Sequence, residues 1–433
     1  MTPTPDAVLH PPEAVLTIAR TLRDAGHEAW CVGGAVRDAL LGLAHLDWDL
    51  ATSATPSEVR RLFRRTVPVG IEFGTIGVLD REGHLHEVTT FRHDVRTDGR
   101  HAVVEFGASL DEDLARRDFT INAIAYDPLT GRLHDPFDGR GDLARGLVTA
   151  VGVPEARMTE DRLRALRAIR FAARFGFSIA APTWEAIRGS APYLTRLSPE
   201  RVKQELDKTM EQVARPSVAL RHWRDSGALT VLVPPLGHVT DEVLDAVDAL
   251  ARPGLPAKPM RRTLRMAVLF SGLDGREADA ALRALRFSNQ ETAIIASLAE
   301  RWHRVGPSLT AAVSAGQVPA DAAIRRLAAD TGRLRVSAFL RLACARWSAT
   351  GAVAPSVMRA LYRRTLQIAF RDPMAIADLA IDGDDLRRAG VSSGPALGRL
   401  LQELLDAVIE DPAANTREAL LARVQATVAP RSE

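Results

Sequence analysis

The hydrophobic pattern of this chain changes once, near Val153, and that change limits the folds open to it. Before it, strand-like and helix-like segments alternate. HEAWCV reads as a strand, Gly33-Gly34 as a turn, AVRDALLG as a helix and LDWDLA as a second strand. TPSEVRRLF has Thr55 as N-cap and Pro56 at the first helical position. GTIGVLD, GHLHEVTTF and HAVVEF are strand candidates between glycine and charged turns. After Val153 the strand signals stop. MTEDRLRALRAIRFAARFGF, SPERVKQELDKTMEQV, DEVLDAVDAL and AIRRLAADTG are all helical in period. Breaks are expected at 251–259, 305–321 and 349–356. The pattern predicts an α+β head with a small mixed sheet, followed by an all-α remainder.

A chain of 433 residues, 46% apolar, can bury several cores and exceeds what one core usually supports. No apolar run approaches the ~20 residues of a membrane helix. The segment MTPTPDAVLHPPEAV has neither the basic start nor the apolar centre of a signal peptide. Cys31 and Cys344 are too few and too far apart for a disulfide framework. These features predict a cytoplasmic protein without a membrane partner. The net charge of +2 hides a bias, because Lys203, Lys208 and Lys258 are the only lysines. Nearly all positive charge is arginine, whose planar fork suits phosphate. A near-neutral balance means that any nucleic-acid contact must come from local patches.

Asp47 and Asp49 flank Trp48. On a strand they would share one face. Two carboxylates that close are costly unless a cation neutralises them, and a divalent cation bound to phosphates would do so. By itself a DxD is common on solvated strand edges. Gly33 and Gly34, between a strand and a helix, would let an anion approach free backbone N–H groups. Arg37, one turn on, can reach the same anion. A phosphate cradle beside a metal-binding DxD forms a coherent nucleotidyl-transfer site.

The run GGAVRDALLGLAHLDWDLAT resembles the signature of class II tRNA nucleotidyltransferases and bacterial poly(A) polymerases. RRDFTINAIAYD (116–127), DPFDGRGDL (135–143), EDRLRALRAIRFAARFGF (160–177) and SPERVKQEL (198–206) are similar to the family's later motifs, in the family's order. DSGALTVLVPPL departs from it, with Pro234-Pro235-Leu236 where the family usually has Pro-Glu-Leu. The resemblance implies a polymerase-β-like nucleotidyltransferase head (1–148), a helical neck (149–215), and a body (216–325) and tail (326–433) that bind tRNA. It implies an enzyme that adds C, C and A to tRNA 3′ ends from CTP and ATP, contacting the 3′ end and acceptor arm, without a nucleic-acid template.

The residues fit that chemistry. Asp47 and Asp49 would hold two Mg²⁺ ions, with Glu87 as a third acidic candidate. Gly33, Gly34 and Arg37 would hold the triphosphate. Arg117 is the best match for the family's nucleotide-contacting arginine. Asp118 and Asn122 are expected to orient loops. A helix from an N-cap at Thr159 would place Asp161 and Arg164 as i,i+3 neighbours. A carboxylate that accepts and a guanidinium that donates match the shared edge of cytosine and adenine, and mismatch uracil and guanine. Arg164, Arg167, Arg170 and Arg174 fall in one arc of that helix. Their mutual repulsion would be relieved by phosphate.

Within the family, Thr97-Asp98-Gly99-Arg100-His101 resembles the intact loop associated with addition of the final A. That favours full CCA addition, with an A-adding or CC-adding specialist as the alternative. RTVPVGIEFGTIGVL resembles the tRNA enzymes and makes poly(A) polymerase a poorer match. A non-catalytic RNA-binding or chaperone protein on the same scaffold would be expected to lose the carboxylates or the base-reading pair. Arg261-Arg262, Arg325-Arg326 and Arg363-Arg364 read as solvated helix faces.

Overall fold

The computed structural model describes residues 9–43, 47–97, 102–250 and 258–428. The chain divides into two units, residues 1–238 and 239–433. The first opens with α1 (Glu13–Asp24), β1 (Ala29–Val32), α2 (Gly34–Leu40), β2 (Asp49–Thr52) and α3 (Pro56–Leu62). Strands β3 (Thr66–Gly70), β4 (Thr75–Leu79), β5 (Leu85–Thr90), β6 (Arg92–Thr97) and β7 (Ala102–Phe106) follow. Then come α4 (Leu110–Ala115), β8 (Ala125–Tyr126), β9 (Leu133–His134), α5 (Gly139–Arg145) and β10 (Leu147–Val148). Seven strands form one mixed sheet in the order β3-β4-β5-β2-β1-β8-β9, while β6 and β7 make a separate hairpin. One core of this head gathers Trp30, Val32, Ala51, Phe91, Leu110, Leu114 and Val151. Thr55 and Glu58 close the expected cap of α3 as a reciprocal capping box.

Two register relationships place the site. Val32 pairs with Asp49 across β1 and β2, so the glycine turn leaves β1 beside that carboxylate. Leu50 pairs with Val88 across parallel β2 and β5, so Asp49 and Glu87 each sit one residue before this pair.

After the head the first unit is helical: α6 (Pro154–Glu160), α7 (Leu163–Phe175), α8 (Ala181–Ser190), α9 (Pro199–Gln212), α10 (Pro216–Asp225) and α11 (Ala228–Leu232). The strand signal does not vanish at Val153. A two-residue strand, β11 (Ser178–Ile179), pairs in parallel with β10. It is too short to leave a period in the sequence.

The expected helix from Thr159 is two helices. Asp161 adopts φ −145 and ψ 106, which is extended backbone, and ends α6. Its Oδ1 then accepts the N–H of Leu163 at 3.0 Å, competing with a continuous helical ladder. Thr159 caps nothing. It lies inside α6, and its hydroxyl donates back to the Glu155 carbonyl at 2.8 Å.

The second unit is built from helices among its described residues. The break expected at 305–321 is confined to 315–320: one helix runs from Asn289 to Ser314 through Pro307, and the next begins at Asp321. Proline removes a ladder bond there, yet the helix continues. Thr310 Oγ1 donates to the Gly306 carbonyl at 2.6 Å and accepts Trp347 Nε1 at 2.8 Å. The Trp302 ring lies against Gly306, where a Cβ would come within 2.7 Å of it. The expected body–tail boundary at 325–326 falls inside the helix Asp321–Thr331. Arg325 is buried there, and its Nε and Nη2 donate to the carbonyls of Ile409 (2.5 Å) and Glu410 (3.0 Å). Arg326, Arg363 and Arg364 are exposed, as expected of solvated helix faces, with Arg326 and Arg364 in surface ion pairs with Glu410 and Asp321; Arg262 is half-buried and pairs with Glu291.

Candidate active site

A cavity of about 620 Å³ opens in the first unit between strands β1, β2, β4 and β5 of the head sheet and α7. Gly33, Gly34, Arg37, Asp49, Glu87, Arg117, Asp161, Arg164, Arg167 and Arg170 all line it. Of the sequence-predicted residues only Asp47 does not, because β2 begins at Asp49 and Asp47 lies exposed just ahead of it. The expectation that both carboxylates share a strand face is corrected accordingly. Asp47 still acts on Asp49 electrostatically.

Asp49 and Glu87 face the cavity, and Asp47 is close enough to act on Asp49. Burial, then the charges of Glu87 and Asp47, raise Asp49 from its ordinary 3.8 to about 6, with only Arg117 opposing. Such crowding is what a divalent cation relieves, and all three groups offer the hard oxygen donors it prefers. The donor set therefore fits the metal ions implied by the sequence.

Gly33 sits at φ +75, a conformation that glycine adopts without strain. A Cβ there would also lie 3.1 Å from Arg117 Nη1. The first glycine thus admits the arginine as well as the turn. Gly34 has no such need, since its nearest contact would be an ordinary 3.5 Å. Arg117 and Arg116 are both held by Asp113, at 3.1 and 3.0 Å, from inside α4. Asp113 was missed in the sequence. Its signal is the i+3 and i+4 spacing to the paired arginines.

The arginines of α7 do not repel one another in wait for phosphate. Each has a carboxylate: Arg164 with Glu160 (2.7 Å), Arg167 with Asp118 (2.7 Å), Arg170 with Glu205 (2.7 Å) and Arg174 with Asp38 (3.2 Å). Burial pushes Asp118 up, but Arg167 and Asn122 outweigh it and hold this carboxyl below its ordinary range. Asp161 and Arg164 are joined through the backbone, Arg164 N–H donating to the Asp161 carbonyl at 3.0 Å, but their side chains have separate partners. Asp161 Oδ2 accepts Arg201 Nη2 at 2.7 Å, and Arg164 donates to the carbonyls of Arg116 and Arg157 besides Glu160. By the donor inventory, the Nε–H and one Nη2–H of Arg164 remain for a ligand. Phe171, Thr75, Thr89, Lys208 and Gln212 also line the cavity, and nothing in their spacing announced it.

A crowded carboxylate cluster facing a guanidinium-lined cavity suits transfer of a nucleotidyl group from a triphosphate, and the chain is a nucleotidyltransferase. The family model "Poly A polymerase head domain" matches residues 29–149. A second, "Probable RNA and SrmB- binding site of polymerase A", matches 176–238, and a tRNA nucleotidyltransferase domain 2 model matches 336–424. A CCA-adding enzyme of Latilactobacillus sakei is 36% identical across 94% of this chain and 96% of its own length. Another, of Geobacillus kaustophilus, is 35% identical across 96% and 97%. The crystal structure of the Bacillus stearothermophilus CCA-adding enzyme in complex with CTP matches with a TM-score of 0.74 and 31% identity, covering 96% and 97% of the two chains. The chain belongs to the class II CCA-adding enzyme family. Dependence on a divalent metal ion goes with that family. No helix among the described residues is long and apolar enough to cross a membrane.

Proposed function

We propose that this chain adds C, C and A to tRNA 3′ ends, using CTP and ATP and no nucleic-acid template. The observation that carries the reading is the placement of Asp161 and Arg164 on the same cavity as Asp49 and Glu87. Base selection and metal-assisted chemistry then share one pocket. Asp47, Asp49 and Glu87 would hold Mg²⁺. When bound, two such ions lower the pKa of the ribose 3′-OH and neutralise charge on the leaving pyrophosphate.

The chain's own residues do the rest. Gly33, Gly34, Arg37 and Arg117 lie where a triphosphate would rest. Asp161 keeps an open lone pair on each oxygen for an exocyclic amino group, and Arg164 keeps donors for a ring nitrogen. Cytosine and adenine satisfy both. Uracil and guanine leave both unpaired, and a missed buried hydrogen bond discriminates strongly. Arg167 and Arg170, each held by its own carboxylate, place guanidinium groups on the wall behind the nucleotide. The helical remainder would grip tRNA by shape and phosphate. The expected loop at 97–101 falls largely outside the described residues, so full CCA addition rests on the relatives' shared activity and the loop's sequence.

A 3′-extension assay tests this, on tRNA transcripts ending before CCA, after C and after CC, with single NTPs and with CTP plus ATP. The expected result is completion of CCA, then a stop. A single A added only to the CC end marks an A-adding specialist, and CC alone a CC-adding one. A long A tail marks a poly(A) polymerase. No extension with Mg²⁺ present overturns the enzymatic reading.

A further inference from the structure

Asp38 does not line the cavity, yet its carboxylate is nearly inaccessible, with 2% of the side chain exposed. It is occupied on both sides. Its Oδ1 accepts Arg37 Nε at 2.7 Å and Arg37 Nη2 at 2.6 Å, while its Oδ2 accepts Arg174 Nη2 at 3.2 Å. Arg37 belongs to α2, which follows the glycine turn. Arg174 belongs to the last turn of α7, whose other end carries Arg164.

The Arg37 guanidinium is itself seated on α7. Its carbon lies 4.9 Å from the Phe171 ring centre and 4.8 Å from that of Phe175. Those rings are stacked at 6.1 Å with an interplanar angle of 11°, as an i,i+4 pair permits. A second path joins the same elements. Arg37 Nη1 donates to Asn122 Oδ1, Asn122 Nδ2 to Asp118 Oδ1, and Arg167 of α7 to Asp118 Oδ2, at 2.5, 2.9 and 2.9 Å. Arg37 thus has most of its donors engaged inside the protein.

We infer that Asp38 is a positioning residue for nucleotide selection. It holds Arg37 flat against Phe171 and Phe175 and tethers Arg174, which fixes α7 against the phosphate-binding turn. Arg164 lies ten residues from Arg174, about 15 Å along the helix. A small rotation at the tethered end therefore moves the base-reading end by a larger distance. Misplacement by about 1 Å is enough to cost up to 10²-fold in rate. Removing the Asp38 charge leaves Arg37 and Arg174 without their shared counter-ion, and frees that rotation. This inference rests on the proposed reading of Asp161 and Arg164 as the base-selecting pair.

The test compares wild type, Asp38→Asn and Arg174→Gln in single-nucleotide extension of a tRNA ending before CCA, with CTP and with UTP. Melting temperatures identify an assay temperature at which each variant is folded. Positioning predicts that the kcat/KM ratio of CTP to UTP falls about tenfold in Asp38→Asn and by a smaller factor in Arg174→Gln. KM for tRNA stays unchanged. A ratio within twofold of wild type in both folded variants overturns the inference, even where stability falls. Should Asp38→Asn fail to fold, Arg174→Gln decides alone, since Arg174 is partly exposed and links only one side. Failure of wild type to extend the transcript with any nucleotide overturns the proposed activity instead.

Discussion

The guanidinium of Arg164 is bound to Glu160, 2.7 Å away, and Asp161 between them is turned to Arg201 on α9. The side chains of the two groups proposed to read the base are therefore held by separate partners. A direct ion pair would have to be broken before a nucleobase could enter. Separate anchoring leaves both groups preorganised, which is what discrimination needs. Glu160→Ala removes one anchor of Arg164 while its bonds to the Arg116 and Arg157 carbonyls persist. The expected outcome is a loss of about tenfold in selectivity for CTP over UTP, or ~1.4 kcal/mol. Unchanged selectivity with a lower melting temperature would show that Glu160 serves stability alone.

Asp49 gives a prediction in which stability and activity move oppositely. Its carboxylate is crowded by burial, Glu87 and Asp47. Asp49→Asn removes one charge from that cluster. In metal-free buffer at neutral pH the variant is expected to be more stable than wild type, by on the order of 1 kcal/mol. Its extension rate should fall about a thousandfold, since loss of ~4 kcal/mol of transition-state stabilisation has that effect. Denaturation with EDTA present and a single-turnover assay with Mg²⁺ measure the two. A destabilised variant that retains activity would remove Asp49 from the metal-binding set.

What the sequence revealed about this site follows from distance along the chain. The glycine turn, Asp49 and the expected strands β4, β5 and β7 were legible because each is a local pattern of a few residues. The break at Asp161 was not, since the apolar period of α6 runs into that of α7 without a change of phase. It shows in the extended backbone of Asp161 and in the bond that Leu163 N–H donates to its Oδ1. The counter-ions of Arg167, Arg170 and Arg174 were illegible for another reason, whereas Glu160 lies an ordinary four residues from Arg164. Asp38 is 136 residues from Arg174, and Asp118 is 49 from Arg167. No spacing rule spans such separations. The same holds for Trp347, which packs on Trp302 and donates to Thr310 of the helix through Pro307 from 37 residues away.

His222 sets a pH window for the first unit. It packs edge-on against Trp184, with ring centres 5.3 Å apart. Burial pulls its imidazole below the ordinary 6.5, although Asp225 pushes back. The unfolded chain therefore takes up this proton at higher pH than the folded one. The stabilisation is complete above 6.5 and is lost as pH falls through the lower folded value. Asp113 and Asp118 lie below the ordinary carboxylate range, so their contribution is lost only at more acidic pH. Asp49, raised to about 6, gains stability over the same range, so the His222 contribution is read as a difference: between pH 7.5 and 5.5 the urea midpoint of wild type should drop relative to that of His222→Phe. Equal changes would show that His222 does not couple to folding.

Arg325 tests whether arginine pairs in the second unit are built for RNA or for the fold. It is buried, and its fork takes the carbonyls of Ile409 and Glu410 at the end of the helix Pro395–Glu410, together with Asp372 at 3.1 Å. Those carbonyls have no further partners within their own helix, and a cation at that end also suits the helix dipole. Arg325→Ala orphans two carbonyls and leaves Asp372 without this guanidinium. The expected cost is about 3 kcal/mol in the second unit. Arg325→Lys should recover little of it, because an ammonium cannot span two carbonyls and a carboxylate in one plane. Denaturation followed by tryptophan fluorescence measures the cost, and KM for CTP should not move in either variant. A fully stable Arg325→Ala that binds tRNA more weakly would assign this residue to the RNA surface instead.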